Sequence, residues 1–513
     1  MIALEYSENH QLKNQIATLK TEIASLKEQL AWFQRQLFGK KSEKIIPPHA
    51  EQLLIEGCEN LVGANGKEET ITVPPHERTK RKNTEEDKIQ LSPDLPVEAV
   101  VLDIPEHEKI CQETGKPLVK IGEEITDKLA HRPGSFFIKR IIRPKYALAS
   151  QEEKGIITAE LPDCILPKCR ADESFLAEVL SMKFADHLPL NRISEIHARS
   201  GVRISRKLLS QWVIRCGLAL TPLYDVMLEK VLQSGNIFVD ESPIDMQEKG
   251  ACKTTYMWVI AGGESSNPPY RVYDFREDRC HDNVIDILQG YNKVMHSDKY
   301  GAYEKLAQSK QIVWCPCWAH IRRKFFESNT DPTFRSWVLR KIRYLFMLEK
   351  VAWQRLPAER LRIRQEKEGP IIDELIQKIQ EKLSSGEVLP KSKLRQALGY
   401  FTGLVPYLKN YTQYPFARLD NNVAERAIRP LTVGRKNWLF FGSPKGGKAA
   451  AVILSLVQTC RALKINPREY LEDVMKRLMG HSSQKLAELL PDAWAQAKQN
   501  PPLPHSPDHS QMG

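Results

Sequence analysis

No apolar run in this chain approaches the ~20 residues needed to cross a bilayer; the densest, AAAVILSLV at 449–457, stops far short. The opening MIALEYSENHQ carries charge within its first ten residues, so no secretory leader is expected. Cysteine is sparse and scattered, 10 in 513 residues, which excludes a disulfide framework and predicts reduced thiols in a cytosol. Paired Cys-x-x-Cys motifs are missing too. Cys111 stands alone in CQETGKPL, and Cys164 and Cys169 have no matching pair, so zinc is not expected in this segment. One absence is a single residue. In WLFFGSPKGGKAAAV, 438–452, Gly442, Gly447 and Lys448 fit the phosphate-cradling G-x-x-x-x-G-K, but Ala449 stands where a magnesium-ligating Ser or Thr belongs. An ATPase resting on this motif, and bound ATP with it, is therefore not expected. The glycines read as a tight turn before a helix, with Lys445 and Lys448 placed to meet DNA phosphates.

Charge of one sign is present in excess. Lys and Arg number 75 against 64 Asp and Glu, a net charge of +11 that favours a polyanionic partner. Leu12, Ile16, Leu19, Ile23, Leu26, Leu30, Phe33 and Leu37 alternate spacings of four and three, the a and d positions of a heptad. Asn9 falls on the preceding a position, and Glu22 with Lys27 has g–e spacing. Residues 1–45 are thus read as a coiled coil that pairs two protomers, and the polar stretch 46–96 as a linker. A small strand-rich segment follows over 97–170. Within 171–232, DHLPLNRISEIHARSGVRISRKLLSQWVIRCG reads as helix, SG turn and a second helix capped by Ser205. That is a helix-turn-helix pattern with Arg206, Lys207, Ser210 and Gln211 on the face that meets a DNA groove.

Carboxylates come next. GNIFVDESPIDM reads as a short strand, 237–239, running into Asp240. YMWVIAG and YRVYDF are two more strands, a helix follows, and the strand of KVMHSDKYGAY ends at Asp298. A helix and the strand of QIVWCPCWAH complete an α/β order with acids at the ends of the first and fourth strands. Two such acids begin a divalent-cation site, because hard oxygens bind magnesium. Glu425, set among Ala424, Ala427 and Ile428 in DNNVAERAIRPLTVGRKNW, is the candidate third; its bland reading is an i, i+4 salt bridge to Arg429.

VDES, HSDKYGAY, CWAHIRRKFFE and NNVAERAIRPLTVGRKNWLFFGS closely resemble successive blocks of the insertion sequence sixty-six family of bacterial transposases, the TnpC type. DHLPLNRISEIHARSG, LFGKKSEK and the zipper resemble its upstream blocks, so the likeness runs through nearly the whole chain. The resemblance implies an α/β ribonuclease-H-like catalytic core with a DDE triad, carried by motif to Asp240, Asp298 and Glu425. It implies Mg2+ (or Mn2+) as cofactor, strand cleavage at the element's terminal inverted repeats, and transfer to target DNA. The core then splits into 233–328 and 405–480 around a helical insertion at 329–404, with a tail at 481–513. Arg426, Arg429, Arg435 and Lys436 would contact phosphates, and the zipper would bring two ends together. Cys317 and His320 match a C-x-x-H pair seen in several DDE families and are read as structural. Accessory proteins of the same element are candidate partners, no membrane is, and a bacterial, nucleoid-associated, cytoplasmic location is expected. The family's four-cysteine segment is degenerate here, since only Cys111 remains. The rival to the enzyme is a non-catalytic DNA-binding regulator with the same architecture.

Overall fold

The computed structural model describes residues 90–499 apart from 92, 94, 111–116, 133, 148–156, 249, 264–268 and 310–311. The heptad segment, most of the linker, Cys111 and the last residues of the tail lie outside the described residues. Everything described belongs to one unit, Asn83–Gly513.

The chain enters through β1 (Gln90–Leu91) and β2 (Val97–Val101), then β3 (Val119–Arg132), β4 (Ser135–Ala147) and β5 (Ile157–Thr158). β4 runs antiparallel to β3 and β5 and parallel to β2, giving a small mixed sheet. Cys164 and Cys169 are used locally, the first donating to Leu166 O and the second accepting from Ala171 N. Four helices follow, α1 (Glu173–Phe184), α2 (Leu190–Arg199), α3 (Arg206–Ala219) and α4 (Thr221–Leu232), with β6 (Val202–Arg203) between α2 and α3. Asp172 caps α1 and Ser205 caps α3 through their side-chain oxygens. Gly201 turns the chain between α2 and α3 at φ +81°, a conformation that favours glycine.

A second mixed sheet forms the centre. Its strands are β7 (Asn236–Glu248), β8 (Ala251–Gly262) and β9 (Tyr270–Arg276), then, after α5 (His281–Ile287), β10 (Val294–Ser297), and after α6 (Gly301–Gln308), β11 (Val313–Pro316). The spatial order is β11-β10-β7-β8-β9. The β7–β8–β9 meander is antiparallel, whereas β10 and β11 join parallel to β7 through helical crossovers. α7 (Trp318–Phe326) leaves β11, and a helical stretch follows: α8 (Pro332–Ala352), α9 (Pro357–Ile363), α10 (Gly369–Ser384) and α11 (Lys393–Thr402). The chain returns as α12 (Asn422–Trp438), β12 (Phe440–Phe441), α13 (Pro444–Ala462), α14 (Pro467–Arg477) and α15 (Pro491–Gln499). No helix among the described residues is long and apolar enough to cross a membrane.

The first strand differs from its sequence reading. The sequence reading ends this strand at Val239, yet β7 continues to Glu248 and Asp240 lies inside it. The β10 pairing ends at Phe238 and the β12 pairing begins at Asp245, so Pro243 falls in the gap between these two neighbours. What ends near Asp240 is therefore the parallel partner, not the strand itself.

α13 shows why its sequence is so apolar and what its glycines do. From Ala449 to Cys460 every residue is buried. Its Ser455 and Thr459 hydroxyls accept from the backbone N–H groups of Tyr273 and Arg271, satisfying the outer edge of β9. The helix already begins at Pro444, capped by Ser443, so Gly446 and Gly447 lie in its first turn and form no phosphate-wrapping loop. This corrects the reading of a turn before the helix. Gly447 lies against the ring of Phe275, where a Cβ would approach to 2.6 Å. At Ala449 the helix crosses α3 so closely that a Cβ on Gly217 would stand 2.6–2.8 Å from Ala449 atoms, backbone included. Gly217→Ala is expected to destabilise the fold by about 1–3 kcal/mol in chemical denaturation, since neither helix axis can retreat cheaply.

Candidate active site

Asp240, Asp298 and Glu425 come from three elements that the backbone ties together. β7 and β10 pair in register as far as Phe238 and His296; continuing two residues brings Asp298 level with Asp240. The His296 ring, stacked on Phe238, lies 3.2 Å by Nδ1 from Ile237 O and accepts at Nε2 from Arg418 N at 2.8 Å. Burial pushes that histidine down to about 3, so it stays neutral as the acceptor role requires. Asn421 precedes α12 but does not cap it; its Nδ2 instead donates to Val239 O at 2.8 Å. That bond pins the start of α12 to the residue before Asp240. Glu425 follows in the first turn. Beyond β11, Cys317 N donates to Ser297 O at 3.0 Å, and Cys317 Sγ accepts from Asn421 N at 3.2 Å.

These carboxylates are poorly compensated. Burial, then the charges of Glu241, Asp298 and Glu425, pushes Asp240 up to about 8, against a single backbone hydrogen bond from Glu241 N. Asp298 is pushed up to about 6 by burial and the charges of Glu241 and Glu425, although Arg279 pulls the other way. Its Oδ1 is buried with no hydrogen-bond partner. Glu241, next in sequence to Asp240, makes the contrast. Its carboxylate accepts from Tyr303 at 2.7 Å and from Arg279 Nε at 2.9 Å. One acid is satisfied by protein, while of the other two Asp298 raises the proton affinity of Asp240 and itself leaves an oxygen without a hydrogen-bond partner, an arrangement a cation would relieve. The donor set is all hard oxygen, which fits magnesium or manganese.

A stability consequence follows from the sign of the Asp240 shift. Folded Asp240 keeps its proton up to about pH 8, whereas the unfolded side chain loses it near 3.8. The unfolded state therefore binds fewer protons between these values, and the metal-free fold loses stability as pH rises through them. Asp240→Asn removes this penalty. In EDTA at pH 8 its melting temperature should exceed that of the wild type by on the order of a few °C, with a smaller gap at pH 5.

The other sequence candidates fall as follows. Arg206, Lys207 and Gln211 are exposed along the first half of α3, and Ser210 is half-buried there. Arg426, Arg429 and Lys436 are exposed on α12. Arg435 is engaged: its guanidinium donates to Ser242 Oγ at 2.9 Å and to Pro243 O, fastening α12 to β7. No ion pair joins Glu425 to Arg429 among the described residues; Glu425 faces His320 Nδ1 at 3.6 Å and Cys317 Sγ at 3.9 Å. Sequence reading missed Glu241, Arg279, Tyr303, His296 and Asn421. Only Asn421, sitting before a helix, carried a local signal, and it pointed to a cap rather than to this tie.

Comparison with known proteins fixes the class. Residues 168–449 match the model described as Transposase IS66 family, and 455–491 match the IS66 C-terminal element. Residues 25–100 match the model Transposase C of IS166 homeodomain. Three uncharacterized proteins of Sinorhizobium fredii are similar along most of their length. One, y4hP, is 31% identical over 90% of this chain and 87% of its own. Another, y4qI, is 32% identical over 74% of this chain and 72% of its own. The third, y4jD, is 28% identical over 75% and 78%. The molecule is a transposase. It belongs to the IS66 family.

Proposed function

We propose that this transposase cuts and joins DNA with Asp240, Asp298 and Glu425 as a metal-holding DDE triad on a ribonuclease-H-like core. The observation that carries the reading is a pair of under-compensated carboxylates, Asp240 in β7 and Asp298 after β10, both pushed up by burial and by neighbouring acids that include Glu425 in the first turn of α12. The strand order supports the core: an antiparallel meander joined through its first strand to two parallel strands. Bound there, Mg2+ or Mn2+ would activate an attacking oxygen and stabilise the leaving one. The reaction is hydrolysis of a phosphodiester at the element's end, followed by attack of the freed 3′ hydroxyl on target DNA. Protein side chains position the substrate. Arg426 and Arg429, exposed on the helix that carries Glu425, hold backbone phosphates, which sets register without reading sequence. Arg206, Lys207 and Gln211 on α3 read the terminal repeat from a groove, and Lys436 adds a phosphate contact. Residues 1–45 pair protomers so that two ends meet, and accessory proteins of the element join the complex on DNA in the bacterial cytoplasm.

The test is incubation of the full-length protein with Mg2+ and labelled duplexes carrying the element's ends. Nicks with 3′ hydroxyls at the terminus are expected. Tight end binding with no cleavage under Mg2+ or Mn2+ would favour the regulator instead. Replacing Arg426 and Arg429 together by alanine should weaken binding to all sequences alike, and lower the slope of log K against log salt by about 2.

A further inference from the structure

Magnesium chemistry leaves one group beside the triad unused. We infer that Cys317, His320 and Glu425 form a second cation site, for a soft divalent ion such as zinc, that shares Glu425 with the carboxylate triad. Cys317 immediately precedes α7 and His320 lies in that helix's first turn, so the C-x-x-H spacing puts both side chains on one end of the helix. α12 brings Glu425 opposite them. Glu425 Oε1 is 3.6 Å from His320 Nδ1 and 3.9 Å from Cys317 Sγ, and all three ligand atoms lie within 4.8 Å of one another. Tetrahedral zinc, with bonds of about 2.0–2.3 Å, separates its ligand atoms by roughly 3.3–3.7 Å. Shifts of up to about an ångström would close the set.

Two further observations point to an ion. His320 Nδ1 is buried with no hydrogen-bond partner, although it faces Glu425. Cys317 Sγ already accepts the Asn421 N–H, as metal-bound thiolates commonly accept backbone donors. Among the described residues no fourth Cys, His, Asp or Glu joins the group, which leaves one position for water. Thiolate and imidazole select zinc or cobalt over magnesium. Binding displaces the Cys317 proton to solvent. Because zinc engages Glu425 Oε1 and places a second dication beside the triad, it should weaken the hold of Glu425 on the triad's ion and inhibit cleavage. That consequence rests on the triad reading, whereas the ion site does not.

Titrating the full-length protein with Co2+ tests the site optically. A thiolate-to-cobalt charge-transfer band with tetrahedral visible bands is expected, bleached by Zn2+. Cys317→Ser should abolish the band, His320→Gln should weaken binding at least about tenfold, and Asp240→Asn should keep both, with circular dichroism confirming that each variant is folded. No band in the wild type, or an unchanged band in Cys317→Ser, overturns the site. In Mg2+-supported cleavage, Zn2+ should inhibit the wild type, and His320→Gln should need at least about tenfold more Zn2+. Cobalt binding as described with zinc-insensitive cleavage overturns the sharing of Glu425. Cobalt binding with no cleavage under any ion leaves the site standing and removes the triad reading.

Discussion

Asp298→Asn should lower Mg2+-dependent strand cleavage on the order of a thousandfold or more while leaving affinity for element ends within a few-fold. The size follows from the role. A carboxylate that helps hold the ion contributes only when charge develops on phosphate oxygens, and losing about 4 kcal/mol of that stabilisation is a factor of about a thousand. Binding should be spared, because in the proposed reading it rests on cationic side chains elsewhere, chiefly on α3 and α12. Asparagine keeps the shape of a buried side chain whose Oδ1 already lacks a partner, so the fold gains nothing by keeping the charge. Burst and steady-state measurements on the same labelled ends separate the chemical step from binding. Equal losses in affinity and cleavage would place Asp298 among the DNA contacts instead.

Arg364→Ala should cost about 3–5 kcal/mol in chemical denaturation, a large share of ordinary domain stability. Arg364 is fully buried in a single π-helical turn, Arg364–Glu368, between α9 and α10. It donates to both oxygens of Glu349, at 2.6 and 2.9 Å, and to the carbonyls of Tyr411, Tyr414 and Ala417. Burial and the Glu349 charge push the neighbouring Glu368 up to about 8. Truncation strands Glu349 and frees three buried carbonyls together. Those carbonyls lie on the segment leading to Asn421 and Glu425, so cleavage should fail with stability. Pairing Arg364→Met with Glu349→Gln should cost less than the sum of the two single changes, because no buried charge is left alone.

Much of this could be read in the chain, for physical reasons that differ by element. The meander and the two crossover strands announce themselves through β-branched and aromatic runs, and α2 and α3 through helical spacing, an SG turn and Ser205. Acids in or just after apolar strands drew notice because buried carboxylates are rare without purpose. Contacts between distant segments left no local mark. His320 and Glu425 are separated by the whole helical stretch α8–α11, and Arg364 is one of many cations in it; only the fold shows that it alone is buried with a bidentate partner. The far half of β7 was not legible for the converse reason: it holds Pro243, which a strand tolerates where its neighbours leave a gap. Ala449, which spoke against a nucleotide loop in the sequence, is the place where α3 and α13 touch.

Mn2+ binding to the DNA-free protein, followed by the loss of the free-ion paramagnetic resonance signal, tests the shared carboxylate site most directly. The wild type and Glu241→Gln should bind, because Glu241 is satisfied by Tyr303 and Arg279. Asp240→Asn and Asp298→Asn should each weaken binding at least about tenfold. Undiminished Mn2+ binding in either aspartate variant, or its loss in a folded Glu241→Gln, would contradict the account.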